Sequence, residues 1–525
     1  MVTVDWSTLA RPGARPLRPA QRAFLDACWS ARVEGPGPWG PRGVVGLLGC
    51  GHGKTLSAQL APLLLGARRP LLLVPAALVD QTARDVAEWR AEYPVAAPRV
   101  ATYELLSHPR SGPHLLDDAA PDLVVLDEAH LLGNPEGARW VRLARYLQAH
   151  PSCRVVALSG TLTWRSLRQV AHVLHAALRD RSPIPPGTLD ALAAVLDVGG
   201  APAEADWHVA ESVLGRLPAR TKEQARTAFH ARLATTPGVV VAAGVAADVS
   251  LTIDLVRPAL PDGVRAALAR LAARWELPDG VELVDAIEVH RAARSLAWGW
   301  WSRWVEGADR DPRWAPWFAA RAAWGAAVRD LWYSGRAESP GVAADLARRG
   351  ALAAHHLAAW TAWEAVRDPE PAREVAWVDG GRAWVAEGAR LARPGELVWY
   401  SSTAVEEALR AAGWHVHGAG SAPPTPGARR AAASWRVHGK GWNGQGFPRA
   451  LILETPDGAG AWEQLLARSH RPGQREDVEV RVVVATEAVE GLLGSALAGA
   501  HYAADVLGQP QRLTLASWPS GRPVG

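Results

Sequence analysis

Short uninterrupted apolar runs recur along the chain, each closed by a glycine- or acid-bearing turn and followed by a longer stretch with apolar positions at helical spacing. Residues 44–48, 71–74, 123–126 and 155–158 are such runs. They predict strands covered on both faces, because a strand with one wet face would alternate instead. Residues 56–65 predict an apolar helix directly after the first run. Strands alternating with helices imply a parallel sheet with helices on both sides, whose ligands bind at the strand C-terminal ends. This first lobe is expected over 17–165, behind an N-terminal segment at 1–16. From 166 to 365 the pattern turns to long helical stretches rich in Ala, Arg and Trp, with one expected strand pair at 238–243 and 249–256. Strands return at 397–400, 414–417, 450–454 and 478–484, so a second α/β lobe is expected over 366–505. The tail, 506–525, ends in SWPSGRPVG, a stretch expected to be loose. The fold class is therefore α/β, with two parallel-sheet lobes and a large helical region between them.

At 525 residues the chain is too long for one core. Apolar content of 48% and charged content of 21% are those of a protein able to bury substantial cores. A net charge of +4 and a pI near 9.2 are compatible with a nucleic-acid partner without pointing to one. Cys28, Cys50 and Cys153 lack CxxC spacing, which fits neither a zinc site nor a disulfide framework and suits a reducing cytoplasm. The opening MVTVDWSTLA has no basic flank before an apolar run, unlike a signal peptide. Apolar stretches are interrupted at Arg68 and Arg69, or at Asp248, before the roughly 18 residues a membrane span needs, so no membrane partner is expected. Lys54, Lys222 and Lys440 are the only lysines among 57 basic residues. A chain so biased toward arginine retains lysine where a compact ammonium is needed, and one of the three falls in a phosphate-loop pattern.

That pattern is GCGHGKT: Gly49, Cys50, Gly51, His52, Gly53, Lys54 and Thr55 between a strand and a helix. Glycines let backbone N–H groups approach phosphate oxygens, and the helix N-terminus adds a favourable dipole. Lys54 would reach the β- and γ-phosphates of ATP and Thr55 would bind Mg²⁺. The first glycine of the strict GxxxxGK pattern would fall at Leu48, one place before Gly49. Asp127 closes the run DLVVLDEAH, where its carboxylate can meet the same Mg²⁺ and Glu128 can polarise an attacking water. His130 reads as a link between nucleotide and nucleic acid rather than a metal ligand, since no second histidine follows at i+4.

Together these motifs resemble those of superfamily 2 helicases, in particular the Swi/Snf-like DNA translocases and their phage-encoded relatives. LRPAQ resembles that group's upstream adenine-reading motif, with Gln21 as the base contact. VPAALVDQT and ATYELL resemble its nucleic-acid-contacting segments, and DEAHLLGNP its extended DEAH box. Ser159, Gly160 and Thr161 match the motif that couples hydrolysis to movement. HGKGWN, with Gly439, Gly441 and Asn443, resembles the segment touching both DNA and nucleotide. Gln464, Arg468 and Arg471 in EQLLARSHRPGQ match the final motif, whose arginines act as fingers on the γ-phosphate. The resemblance implies two RecA-like lobes, ATP with Mg²⁺, and duplex DNA as partner. A strand-separating helicase on DNA or RNA, or the motor of a restriction or repair complex, is the alternative. SGTLT departs from the group where a proline often follows SGT.

The 26 tryptophans could be stacking platforms for bases. Trp300 and Trp304, Trp314 and Trp317, and Trp317 and Trp324 instead fit one buried helical stripe. With four Phe and six Tyr in the chain, Trp is expected to fill ordinary aromatic core positions. Arg11, Arg15, Arg18 and Arg22 form a basic cluster at the start of the first lobe.

Overall fold

The computed structural model describes residues 9–523 except 96–97, 109, 111, 200, 243–246, 284–285, 306, 309–310, 338–339 and 440. Lys440 therefore lies outside the described residues. Strands are labelled β1 Val44–Leu47, β2 Pro70–Val74, β3 Arg99–Thr102, β4 Leu123–Asp127, β5 Arg154–Ser159, β6 Val239–Val241, β7 Leu251–Val256, β8 Trp300–Trp304, β9 Arg373–Trp377, β10 Leu397–Tyr400, β11 His415–His417, β12 Ala431–Ser434, β13 Arg449–Ile452 and β14 Val478–Val483. Two six-stranded sheets result, in the orders β3-β2-β4-β5-β1-β6 and β11-β12-β10-β13-β14-β7. Every pairing within them is parallel.

Both faces of each sheet are buried, which is why the strands read as continuous apolar runs. In the first sheet Val44, Leu72, Val125 and Val156 face the helices Pro19–Val33 and Lys54–Leu65, while Val45, Leu71, Val124 and Val155 face the opposite core. In the second, Trp399, Ile452 and Val480 point one way and Val398, Leu451 and Val483 the other.

The stretch 166–365 is not one helical insertion. Leu192 and Phe229 of its early helices join the first sheet's core, and β6 extends that sheet. β7 belongs to the second sheet instead, paired with β14. The expected strand pair thus splits between two sheets, because each strand finds a parallel edge rather than its sequence neighbour; Ala243 lies outside the described residues. A third unit consists of the antiparallel pair β8–β9 with the helices Ala315–Tyr333, Pro340–Arg348 and Ala354–Val366 around Trp324, Leu331 and Trp360.

Trp298, Trp301, Trp317, Trp324 and Trp384 are buried, as core aromatics should be. Trp300 and Trp304, however, lie on a strand, not a helix. Positions four apart share a face in both geometries, so their spacing could not separate the two. Trp39 is 55% exposed and Trp332 41%, and neither fits the core assignment. The tail also departs from expectation. Residues Arg512–Leu515 form a short helix, and Ser517 exchanges backbone bonds with Leu251 and Ile253. β7 is an edge strand with open N–H and C=O groups, and the tail satisfies them. Among the described residues no helix is long and apolar enough to cross a membrane.

Candidate functional site

In a parallel sheet all strand C-termini lie along one edge, so the order β4-β5-β1 places three motif segments side by side. Register does the rest: Asp127 stands opposite Leu158, and Ser159 opposite Leu47. The turn 48–53 leaves β1 through Gly51 and Gly53 at φ +93° and +80°, a region L side chains rarely adopt. A Cβ on Gly53 would also lie 2.2 Å from the Gln21 amide nitrogen, and one on Gly51 2.9 Å from Pro472 of the second unit. The Gln21 amide donates to the Gly53 carbonyl at 3.1 Å and accepts from the Arg18 N–H at 2.8 Å, which ties the first helix to the turn.

Lys54 Nζ lies 3.6 Å from Glu128 Oε1. Burial pulls the ammonium's pKa down, but the charges of Glu128, Cys50 and Asp127 outweigh it and leave it above the ordinary value. Asp127 is raised as well, from the ordinary carboxylate range to about 7: burial and then the Glu128 charge raise it, with Lys54 opposing. Glu128 sits in the left-handed region at φ +57°, a strain of about 1–3 kcal/mol. His130 Nδ1 is 3.3 Å from Glu128 Oε2 and 3.2 Å from Ser159 Oγ. Ser159 Oγ in turn donates to the Thr161 carbonyl at 2.8 Å. Gly160 packs under the lysine, since a Cβ there would be 3.3 Å from Nζ.

The second unit delivers Gln464 and Arg468 from the helix Ala459–Ser469, and Arg471 from the turn after it. Gln445 and Gln474 hold that turn, donating to the carbonyls of Pro472 and Ser469 at 2.8 and 3.2 Å. Arg468 is fixed by the carbonyls of Gln464 and Trp442. Among the described residues the Arg471 guanidinium has no hydrogen bond or ion pair. Burial lowers the pKa of both arginines, and neither can lose its proton in a protein.

One cavity of 460 Å³ is lined from one side by Gln21, Gly49–Gly51, Gly53–Thr55, Asp127 and Glu128, and from the other by Gly441, Gln464, Arg468 and Arg471, while His130, Ser159, Gly160 and Thr161 lie outside its lining. Its positive groups outnumber its carboxylates, so an anion fits it. Thr55 and Asp127 supply hard oxygens at the same wall, a donor set suited to Mg²⁺. A larger cavity of 800 Å³, between the helix Pro19–Val33 and β6, contains none of the motif residues apart from Leu17, Pro19 and Arg22 at its rim.

Not every expected residue arrives. His52 borders a small neighbouring cavity rather than this one. Gly439 lines an adjoining cleft of 630 Å³ together with His130 and Gln464. Asn443 is exposed and closes a turn with Gln445, so its amide is spent locally. Arg15 is no free basic surface: Glu88 and Glu92 hold it, and it stacks 4.2 Å from the Trp89 ring. Lys222 donates to the Asp197 carbonyl at 2.7 Å, a structural tie. Trp89 and Asp85 line the cavity without having been singled out, because helical spacing alone gave them nothing beyond an amphipathic surface, and Gln81 of VPAALVDQT, a segment expected at the nucleic acid, lines it too. No protein-family model matches the chain, and no curated protein matches it.

Proposed function

We propose that the chain is a nucleic-acid-stimulated ATPase of the Swi/Snf-like translocase kind, two RecA-like lobes that couple hydrolysis to movement along duplex DNA. One observation carries this: Lys54, Asp127 and Glu128 of one sheet face Arg468 and Arg471 of another across a single cavity large enough for a nucleotide. The resemblance of DEAHLLGNP and EQLLARSHRPGQ supports the substrate.

In this reading the turn 49–53 cradles the phosphates, Lys54 neutralises the outer two, and Gln21 with Arg18 lines the base side. Mg²⁺ held by Thr55 and Asp127 would neutralise charge on the β- and γ-phosphates. Glu128, 3.6 Å from the Lys54 ammonium, orients and deprotonates the attacking water. Arg471, having no partner of its own, is available for the charge that develops on the transferring phosphoryl group. A finger of this kind is worth about 10³ to 10⁵ in rate, or roughly 4 to 7 kcal/mol. Because it comes from the other lobe, turnover requires that the lobes close, and lobe closure is the movement. His130, Ser159 and Thr161 connect Glu128 to the lobe seam and pass on the state of the nucleotide.

The test is ATPase activity measured with no nucleic acid, single-stranded DNA, duplex DNA and RNA in parallel, with triplex displacement and fork unwinding as paired assays. Duplex DNA should stimulate most, and a third strand should be displaced while a fork stays paired. Stimulation by single strands alone with efficient fork opening would assign a strand-separating helicase instead.

A further inference from the structure

Residues 509–512, in the C-terminal tail just before the stretch expected to be loose, lie beside Gly49, Cys50 and His52 of the glycine-rich turn. Gln509, Gln511 and Arg512 are 3%, 2% and 1% exposed. Gln511 Nε2 lies 3.2 Å from Thr161 Oγ1, in the SGT segment of the first sheet. One residue later, Arg512 binds the second unit three times: its N–H and Nη1 donate to the Glu463 carboxylate, and Nε donates to the His470 carbonyl at 2.8 Å. Glu463 and His470 bracket Gln464 and Arg468 and lead directly into Arg471.

A cavity of 10 Å³, room for about one water, separates these residues from the backbone of Gly49 and Cys50. Among the described residues Arg512 Nη2 and both amide atoms of Gln509 are buried without a hydrogen-bond partner. Polar atoms so buried are costly unless they are satisfied in some state of the protein. A second contact joins the same two segments: Trp164 lies against Gly460, where a Cβ would come within 2.8 Å of its ring.

We propose that Gln511 and Arg512 are positioning residues of the hydrolytic reaction. They hold the arginine-bearing helix in register with the SGT segment, so that a shift of Thr161 is delivered within one residue to Glu463 and His470, and thus to Arg468 and Arg471. The inference rests on the ATPase reading above and adds to it a C-terminal segment that touches no substrate.

The experiment uses the full chain with duplex DNA and measures kcat, KM for ATP, affinity for a fluorescent ATP analogue, and thermal unfolding. Gln511→Ala should keep the unfolding midpoint and nucleotide affinity while lowering kcat about tenfold, the worth of one buried hydrogen bond expressed in the transition state. Thr161→Val should also lower kcat, and the double variant should fall no further than Gln511→Ala, which removes the Thr161 contact together with the amide's bond to the Gln509 carbonyl. Gln511→Leu, which keeps the volume without the amide, repeats the test should the alanine variant unfold early. Arg512→Met combined with Glu463→Met removes the ion pair without leaving a lone buried charge, and should also lose kcat before affinity. Unchanged kcat in Gln511→Ala, parallel loss of kcat and affinity, or multiplying effects of Gln511→Ala and Thr161→Val would overturn the assignment. If wild type hydrolyses ATP and Lys54→Ala does not, such a result sinks the positioning role alone. A wild-type chain inert with every nucleic acid sinks both.

Discussion

In the first sheet β1 runs into a glycine-rich turn and the helix Lys54–Leu65; in the second, β10 runs into Ser401, Ser402 and the helix Thr403–Ala411. Each strand end borders a cavity of similar size, 460 Å³ and 410 Å³. The first turn borders its cavity with Gly49, Cys50, Gly51 and Gly53 beside Lys54. The second has an anion of its own in that position: Glu454 Oε2 accepts from the N–H groups of Ser401 and Ser402 at 2.6 and 2.7 Å and from the Ser401 hydroxyl at 3.1 Å. A helix N-terminus attracts negative charge in either case. Whether that charge is a ligand or a side chain decides which sheet can bind a phosphate. The second unit instead places Arg468 and Arg471 on the wall of the first unit's cavity.

The largest effects should follow from breaking the first sheet's half. Lys54→Ala should abolish both binding of a fluorescent ATP analogue and turnover. Glu128→Gln should bind the analogue normally and lose at least about 10³-fold in kcat, within the range that a general base supplies. An active Glu128→Gln enzyme would take the water-activating role away from that residue.

Arg471→Ala removes the second unit's contribution and should spare binding while lowering kcat by at least about 10²-fold. Single-turnover rates separate this from slow product release. Near-normal turnover would mean that the first sheet hydrolyses ATP unaided, and the division of labour between the sheets would fail.

Glu454→Ala probes the other side of the comparison. It strips an acceptor from two backbone N–H groups, and should cost about 2 kcal/mol of stability, seen as an earlier denaturant midpoint. ATP affinity should not change, since the cavity of the first sheet is untouched. Measurable phosphate binding lost in the wild type but gained in this variant would sharpen the argument further, by showing that Glu454 alone fills the second N-terminus.

Much of this was legible in the chain itself. The strands β1, β2, β4 and β5 announce themselves because burial on both faces forces unbroken apolar runs, and the chemistry sits at their ends. β12 was missed: Ala431–Ser434 is buried throughout, yet alanine carries no strand preference, and neighbours on both sides rather than side-chain pattern put it in the sheet. The splitting of β6 and β7 between sheets was equally hidden, since parallel partners lie far off in sequence. The facing of Lys54 and Arg471 could be anticipated from motifs, but not the tail. Gln511 and Arg512 belong to no recognisable pattern, and only tertiary contact reveals that they join the two units.

The smallest expected effect concerns acid. Burial lowers the pKa of His172 on the first sheet's side and of His438 and His470 on the second's below the ordinary 6.5. His172 and His470 reach backbone carbonyls of Leu132 and Val249 at 2.8 and 2.9 Å, contacts that burial outweighs. A base with a depressed folded pKa binds its proton more readily when unfolded. Stability from these three groups is therefore complete above about pH 6.5 and falls as the pH drops below it, levelling off under the folded pKa values. Two of the three lie with the second sheet, so hydrogen exchange at β10, β12 and β13 should quicken more between pH 7 and about pH 5 than exchange at β1, β4 and β5. His470→Asn should reduce that difference, because it removes the titration next to Arg471 and keeps a donor for the Val249 carbonyl. Equal protection of both sheets across this range would show that the histidines do not set the acid response, and that the two units share it through the seam.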